Sequence, residues 1–75
     1  MDKETITLII AQNGLGTATT VLTAKATSLR RKAAKAADGA TKAAFEAQAL
    51  KAEKLAGAFK IANNGVAEYM AEFGA

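Results

Sequence analysis

The sequence predicts an all-α protein built on an antiparallel helical hairpin with an alanine-rich, heptad-like seam. Three observations predict this fold. The 75 residues include 20 alanines and no proline, a composition that favours helix. Apolar residues recur at intervals of seven in two long stretches. Between these stretches lies one Asp-Gly pair, which is a strong turn signal.

The stretch at residues 40–62 carries the clearest helical pattern. Phe45, Ala52 and Phe59 are seven residues apart, and Ala49 and Ala56 follow the first two by four. Residues at these spacings lie on one side of a helix, so the stretch presents a single narrow apolar seam. Its many alanines allow the axis of a partner helix to come close.

The stretch at residues 17–37 repeats the pattern with leucine in place of phenylalanine. Leu22 and Leu29 continue a series that begins at Leu15, and Ala26 and Ala33 follow them by four. Asp38-Gly39 then ends this helix and begins the next. The two stretches are therefore predicted to form the two arms of the hairpin.

Shorter apolar segments flank the hairpin at both ends. The spacing of Ile6, Ile9 and Ile10 predicts a terminal helix over residues 2–13 with Asp2 as its N-cap. The alternation at residues 5–8 also fits a strand, but the chain offers no second strand to pair with it. Another terminal helix is predicted over residues 65–73, and Asn and Gly at 13–16 predict a break before the hairpin. At 63–65 the seam keeps its phase, so these residues indicate either one long helix with a weak joint or two nearly coaxial helices.

Folding the chain at Gly39 brings these features into register. Leu22 comes opposite Leu55, and the two Asn/Gly breaks come to the same height, as one joint across both arms. We expect Leu22, Leu29, Leu55 and Phe59 to form the buried core. The terminal helices either extend the rod or fold back to make a small bundle.

Composition limits the function classes. A chain of 75 residues makes one small domain, 1–75, whose core alone is marginal. The sequence has no His and no Cys, so we expect no catalytic residues, no metal, no cofactor and no small-molecule substrate. Self-association or docking on a larger partner is the remaining way to stabilise so small a chain.

A second apolar strip points to such a partner. Leu50 and Ile61 are eleven residues apart, so they share a direction nearly opposite the seam. Ala47 and Ala58 lie beside them and would let another helix come close. We expect these four residues to form an intermolecular interface.

A basic run gives the alternative function. Lys25, Arg31, Lys32 and Lys35 lie away from the seam, where they can contact phosphates or an acidic partner. Residues 25–60 hold nine basic and three acidic side chains, a net of +6, whereas the flanks carry a net of −3. In a hairpin, the turn end is therefore basic and the open end acidic.

The sequence thus favours a non-enzymatic structural subunit that forms homo-oligomers or decorates a larger assembly such as a virion or filament. A basic nucleic-acid-binding module is the first alternative. A peripheral membrane peptide that uses Ile6, Leu8, Ile9 and Ile10 is the second, although a true membrane span is not expected. No signal peptide is predicted, and a virion is the one location suggested.

Overall fold

The computed structural model describes residues 2–74 and consists of two long helices, α1 (Lys3–Lys35) and α2 (Gly39–Phe73), joined by residues 36–38. The helices pack against each other along their whole length, and the molecule measures 55 × 14 × 12 Å. A helix of this size is about 50 Å long at 1.5 Å per residue, so the length of the arms sets the length of the rod. The predicted all-α helical hairpin is confirmed.

Aspartate begins both helices. The Asp2 carboxylate accepts a hydrogen bond from the Thr5 backbone N–H at 2.7 Å, and Asp38 accepts one from the Thr41 backbone N–H at 2.7 Å. The Thr41 hydroxyl also donates to Asp38, at 2.8 Å. These side chains satisfy backbone donors that have no partner within the first turn of a helix. The predicted N-cap at Asp2 is confirmed.

The predicted break at 13–16 is wrong, and at 63–65 the structure shows one long helix, which was one of the two expected alternatives. Each helix runs through its Asn/Gly segment, so residues 2–74 form two helices and not the four predicted over 2–13, 17–37, 40–62 and 65–73. No residue in the described chain has a positive φ angle, so the glycines here act as ordinary helical residues. The physical reason is the seam. It keeps its phase across both segments, and burying it offsets the roughly 1 kcal/mol that each helical glycine costs.

The expected alignment of the two Asn/Gly segments is nevertheless observed. A methyl group added to Gly16 would lie 3.9 Å from the side-chain amide nitrogen of Asn63. The two segments therefore lie side by side in the hairpin. They form a polar stretch within a continuous pair of helices, and the terminal segments extend the rod without folding back.

The core consists almost entirely of alanine. Six of the described residues are buried, and Leu29 is the one large side chain among them. Leu22 and Phe59 are half-buried. They belong to the seam, but a molecule of only two helices is too thin to cover large side chains completely. The prediction for Leu55 is wrong, because this side chain is 47% exposed. Ala56 occupies the seam at that height, and the other buried residues are Ala26, Ala33, Ala49 and Ala52.

Candidate interaction surfaces

The seam divides the hairpin into two long sides and two outer faces. The first side, here called the threonine side, contains Thr19, Thr23 and Thr27 of α1, with Ala26 and Ala56 at its floor. Arg30 and Glu53 cross it, with Arg30 Nη2 at 2.5 Å from Glu53 Oε1. Both side chains are about half exposed, so this ion pair contributes at most about 1 kcal/mol.

The threonine hydroxyls bond to their own helix. Thr19 donates to the Leu15 carbonyl at 2.8 Å, Thr23 to the Thr19 carbonyl at 2.8 Å, and Thr27 to the Thr23 carbonyl at 3.1 Å. These bonds run back four residues, the pattern that lets threonine sit inside a helix. They also fix the side-chain rotamers along this side.

A polar groove adjoins the threonine side towards the open end. Gln12, Gly16, Thr20 and Asn63 line it. The Asn63 side-chain oxygen is buried, and no described group donates a hydrogen bond to it. Leaving such an acceptor unsatisfied costs about 1–3 kcal/mol. The polar stretch of the seam is therefore a locally unfavourable part of the hairpin.

The second side, here called the leucine side, is formed by one row from each helix. The α2 row is Gln48, Leu55, Ala62 and Tyr69, with members seven residues apart. The α1 row is also spaced by seven and comprises Glu4, Ala11, Ala18, Lys25 and Lys32. Glu4 and Tyr69 line the same groove, which shows that both rows flank the seam on one side. The middle of this side carries no charged residue of either row.

The outer face of α2 presents the strip predicted from the sequence. Leu50 is 46% exposed and Ile61 is 74% exposed, and Ala47 and Ala58 beside them are exposed as well. The helix turns these residues away from α1, because they lie nearly opposite the buried seam. This geometry makes the four residues available for contact, whereas the partner that would cover them remains a prediction.

The outer face of α1 carries a matching strip that the sequence reasoning missed. Ile6, Ile10 and Val21 are all exposed. Ile10 and Val21 are eleven residues apart, the same spacing that identified Leu50 and Ile61, so the signal was present in the sequence. The apolar cluster considered for membrane contact is also divided, since Leu8 and Ile9 are half-buried.

The basic residues surround the turn end of the rod. Lys25, Arg31, Lys32 and Lys35 are all exposed. Lys25 and Lys32 belong to the leucine side, and Arg31 and Lys35, four residues apart, lie towards the outer face of α1. Within residues 2–74, the single salt bridge uses a different residue, Arg30.

The pKa values of the two aspartates that cap the helices are lowered. Hydrogen bonding from the Thr41 backbone N–H, and then from its hydroxyl, lowers the pKa of Asp38 below its usual 3.8. The Thr5 backbone N–H likewise lowers the pKa of Asp2. Hydrogen bonds to the ionised carboxylate favour that form. Both shifts therefore reflect capping.

No family model matches the sequence, and no curated protein or solved structure matches the chain. Neither described helix has a segment both long and apolar enough to cross a membrane. What the protein does is therefore inferred from the surfaces that the hairpin presents.

Proposed function

We propose that this protein is a non-enzymatic structural subunit that associates with copies of itself, or coats a larger assembly such as a virion or filament. One observation carries the proposal. Five of the six buried residues within 2–74 are alanine, whereas eight large apolar side chains in the same part of the chain are exposed. The hairpin thus packs its small apolar residues inside and presents many of its large ones outside.

The energetic consequence favours association. An alanine contributes little burial energy, whereas burying a Leu, Ile or Phe side chain contributes about 1.5–3 kcal/mol. Small domains without disulfides or metals commonly obtain the missing stability from partners. Partners that cover the outer strips would supply it here.

The outer strip of α2 is the proposed main contact. Leu50 and Ile61 provide the large side chains, while Ala47 and Ala58 permit close approach of another helix. A single contact of this size binds weakly. Repeated around a ring or along a filament, it holds an assembly through multivalency.

Light scattering at low and high salt tests this function. The wild-type chain is expected to form an oligomer that persists at high salt, because its main contact is apolar. Replacing both Leu50 and Ile61 by Glu should prevent assembly to the native mass and leave helicity by circular dichroism largely intact, because both side chains are exposed. The matched variant with Lys at both positions should behave the same way, since burial of either charge is unfavourable. Assembly with native mass in both variants would contradict the proposal.

The same measurement addresses the second candidate function, binding of nucleic acid. The exposure of Lys25, Arg31, Lys32 and Lys35 around the turn favours it. A monomer that retains nucleic acid at low salt would support this candidate. Its affinity should then fall with salt, with a slope of about 0.7–0.9 in log K for each phosphate contact.

A further inference from the structure

We propose that the leucine side pairs with the leucine side of a second copy, with the two rods antiparallel and the pair centred near Ala18. This inference rests on the proposed function and adds the orientation and register of the partner. It uses a surface different from the outer strip of Leu50 and Ile61, so each copy would have two contact surfaces.

The two ends of the α1 row carry opposite charges, so the ends are complementary when a second row is reversed. The row is acidic at Glu4, small at Ala11 and Ala18, and basic at Lys25 and Lys32. Antiparallel stacking of α1 on α1, centred on Ala18, brings Glu4 level with Lys32 of the second copy. By symmetry the pair forms twice. Parallel stacking of these rows would instead bring like charges together.

The α2 row has the matching steric pattern. In the same arrangement α2 stacks on α2, and the point midway between Leu55 and Ala62 becomes the centre. Leu55 of each copy then packs on Ala62 of the other, a large side chain against a small one. This also explains why a leucine outside the seam is followed, seven residues later, by an alanine.

The two centres fall within about one helical turn of each other along the hairpin. Gly16 lies beside Asn63, and Thr19 and Lys60 line one groove, whereas Glu4 and Tyr69 line another. These pairs place Ala18 level with the middle of α2, within about one helical turn of the midpoint between Leu55 and Ala62. One two-fold axis therefore passes close to both centres.

Surface area and overall charge also favour a second copy as the occupant. A side of 55 by 14 Å is close to the roughly 800 Å² per partner that a standard interface buries. Antiparallel pairing places the basic turn end of each rod, net +6, beside the acidic open end of the other, net −3. The residues that line the threonine side include no large apolar side chain, and the Arg30–Glu53 pair already crosses this side.

Cysteine cross-linking tests the orientation. The chain has no native cysteine, so a single introduced thiol reports one position. Ala18→Cys lies near the proposed axis and should form a disulfide-linked dimer under mild oxidation. Ala24→Cys is exposed on the outer face of α1 and controls for random collisions. We expect cross-linking at least tenfold faster for Ala18→Cys, and equal rates would overturn the inference.

Two further variants separate this inference from the proposed function. Leu55→Glu should weaken the pair at least tenfold while retaining helicity, because Leu55 lies outside the seam. Leu50→Glu combined with Ile61→Glu should leave the pair intact and prevent larger assembly. If Leu55→Glu pairs like the wild type, the leucine side is not the interface, although loss of assembly in the double variant would still support the proposed function.

A charge exchange provides the sharpest check of register. Glu4→Lys should weaken pairing several-fold at low salt, because it places like charges together twice per pair. Adding Lys32→Glu to this variant should restore wild-type pairing. A combined variant no stronger than Glu4→Lys alone would overturn the proposed register.

Discussion

The two halves of the rod differ in how completely they cover their seam. All six buried residues lie between positions 26 and 56, in the half next to the turn. In the half towards the open end, the seam residues Leu8, Leu15, Val66 and Met70 are only half-buried. The half next to the turn is thus well packed, whereas the open half leaves apolar surface uncovered.

The residues of the seam explain this difference. Near the turn, five of the six buried seam residues are alanine, which allows continuous close packing of two helices. Towards the open end it includes the polar residues Gln12 and Asn63, and the poor helix former Gly16 lies alongside them. Regions with fewer buried contacts open more readily. The open half is therefore expected to fray first in an isolated molecule, and to gain most from a partner.

The largest expected effect comes from truncating the seam next to the turn. Leu29→Ala removes the one large buried side chain of the described core and should lower the free energy of unfolding by about 2–5 kcal/mol. Leu15→Ala, in the same heptad series but half-buried, should cost about 1–2 kcal/mol. Chemical denaturation measures both. Equal losses of unfolding free energy in the two variants would show that the two halves are packed equally well.

A smaller effect of opposite sign is expected from Asn63. Replacing it by Leu removes the buried oxygen that lacks a donor and should raise the free energy of unfolding by about 1–3 kcal/mol. Asn64→Leu, at an exposed neighbour, changes mainly helix propensity and should gain only a few tenths of a kcal/mol. Denaturation combined with amide exchange would show whether the gain is confined to the open half. A loss of stability in Asn63→Leu would mean that this polar position supports the pairing of the helices.

The smallest expected effect concerns pH and the helix caps. The folded chain lowers the pKa of Asp2 and Asp38 relative to the unfolded chain, so both carboxylates stabilise the hairpin above their usual pKa of 3.8. This stabilisation is lost as pH falls through the lowered folded-state values. Helicity measured by circular dichroism should therefore decrease on acidification below about pH 4. Asp38→Asn should reduce the decrease of helicity on acidification. If helicity of this variant falls with pH as in the wild type, the Asp38 cap is not the cause.

Much of the fold was predictable because the heptad pattern is regular. The spacing of Phe45, Ala52 and Phe59 defined one arm, and the Asp-Gly turn defined where the chain reverses. The break predicted at 13–16 was wrong because local propensity opposes the long-range pattern at those positions. The seam continues in phase from Gln12 to Leu15 and from Asn63 to Val66, and burying this longer pattern outweighs a few poor helix formers.

The surfaces were predictable only in part. Leu50 and Ile61 were identified because they oppose the seam by helical geometry alone. Leu55 was expected in the core because folding the chain at Gly39 brings it opposite Leu22, whereas the heptad places Ala56 in the seam. The leucine side could not be predicted from either helix alone, because its two rows become neighbours only when α1 packs against α2. Neither helix by itself shows that Glu4 and Tyr69 line one groove.

The threonine hydroxyls have a consequence for hydration. Because Thr19, Thr23 and Thr27 donate their protons to carbonyls of their own helix, few hydroxyl donors on this side remain for water or for a neighbour. Their methyl groups therefore contribute more to the contact of this surface with water, and each threonine resembles the valine of the same shape more closely. A hydropathy scale, which counts the three as fully polar, therefore overestimates how polar the threonine side is, although each hydroxyl oxygen still accepts hydrogen bonds from water.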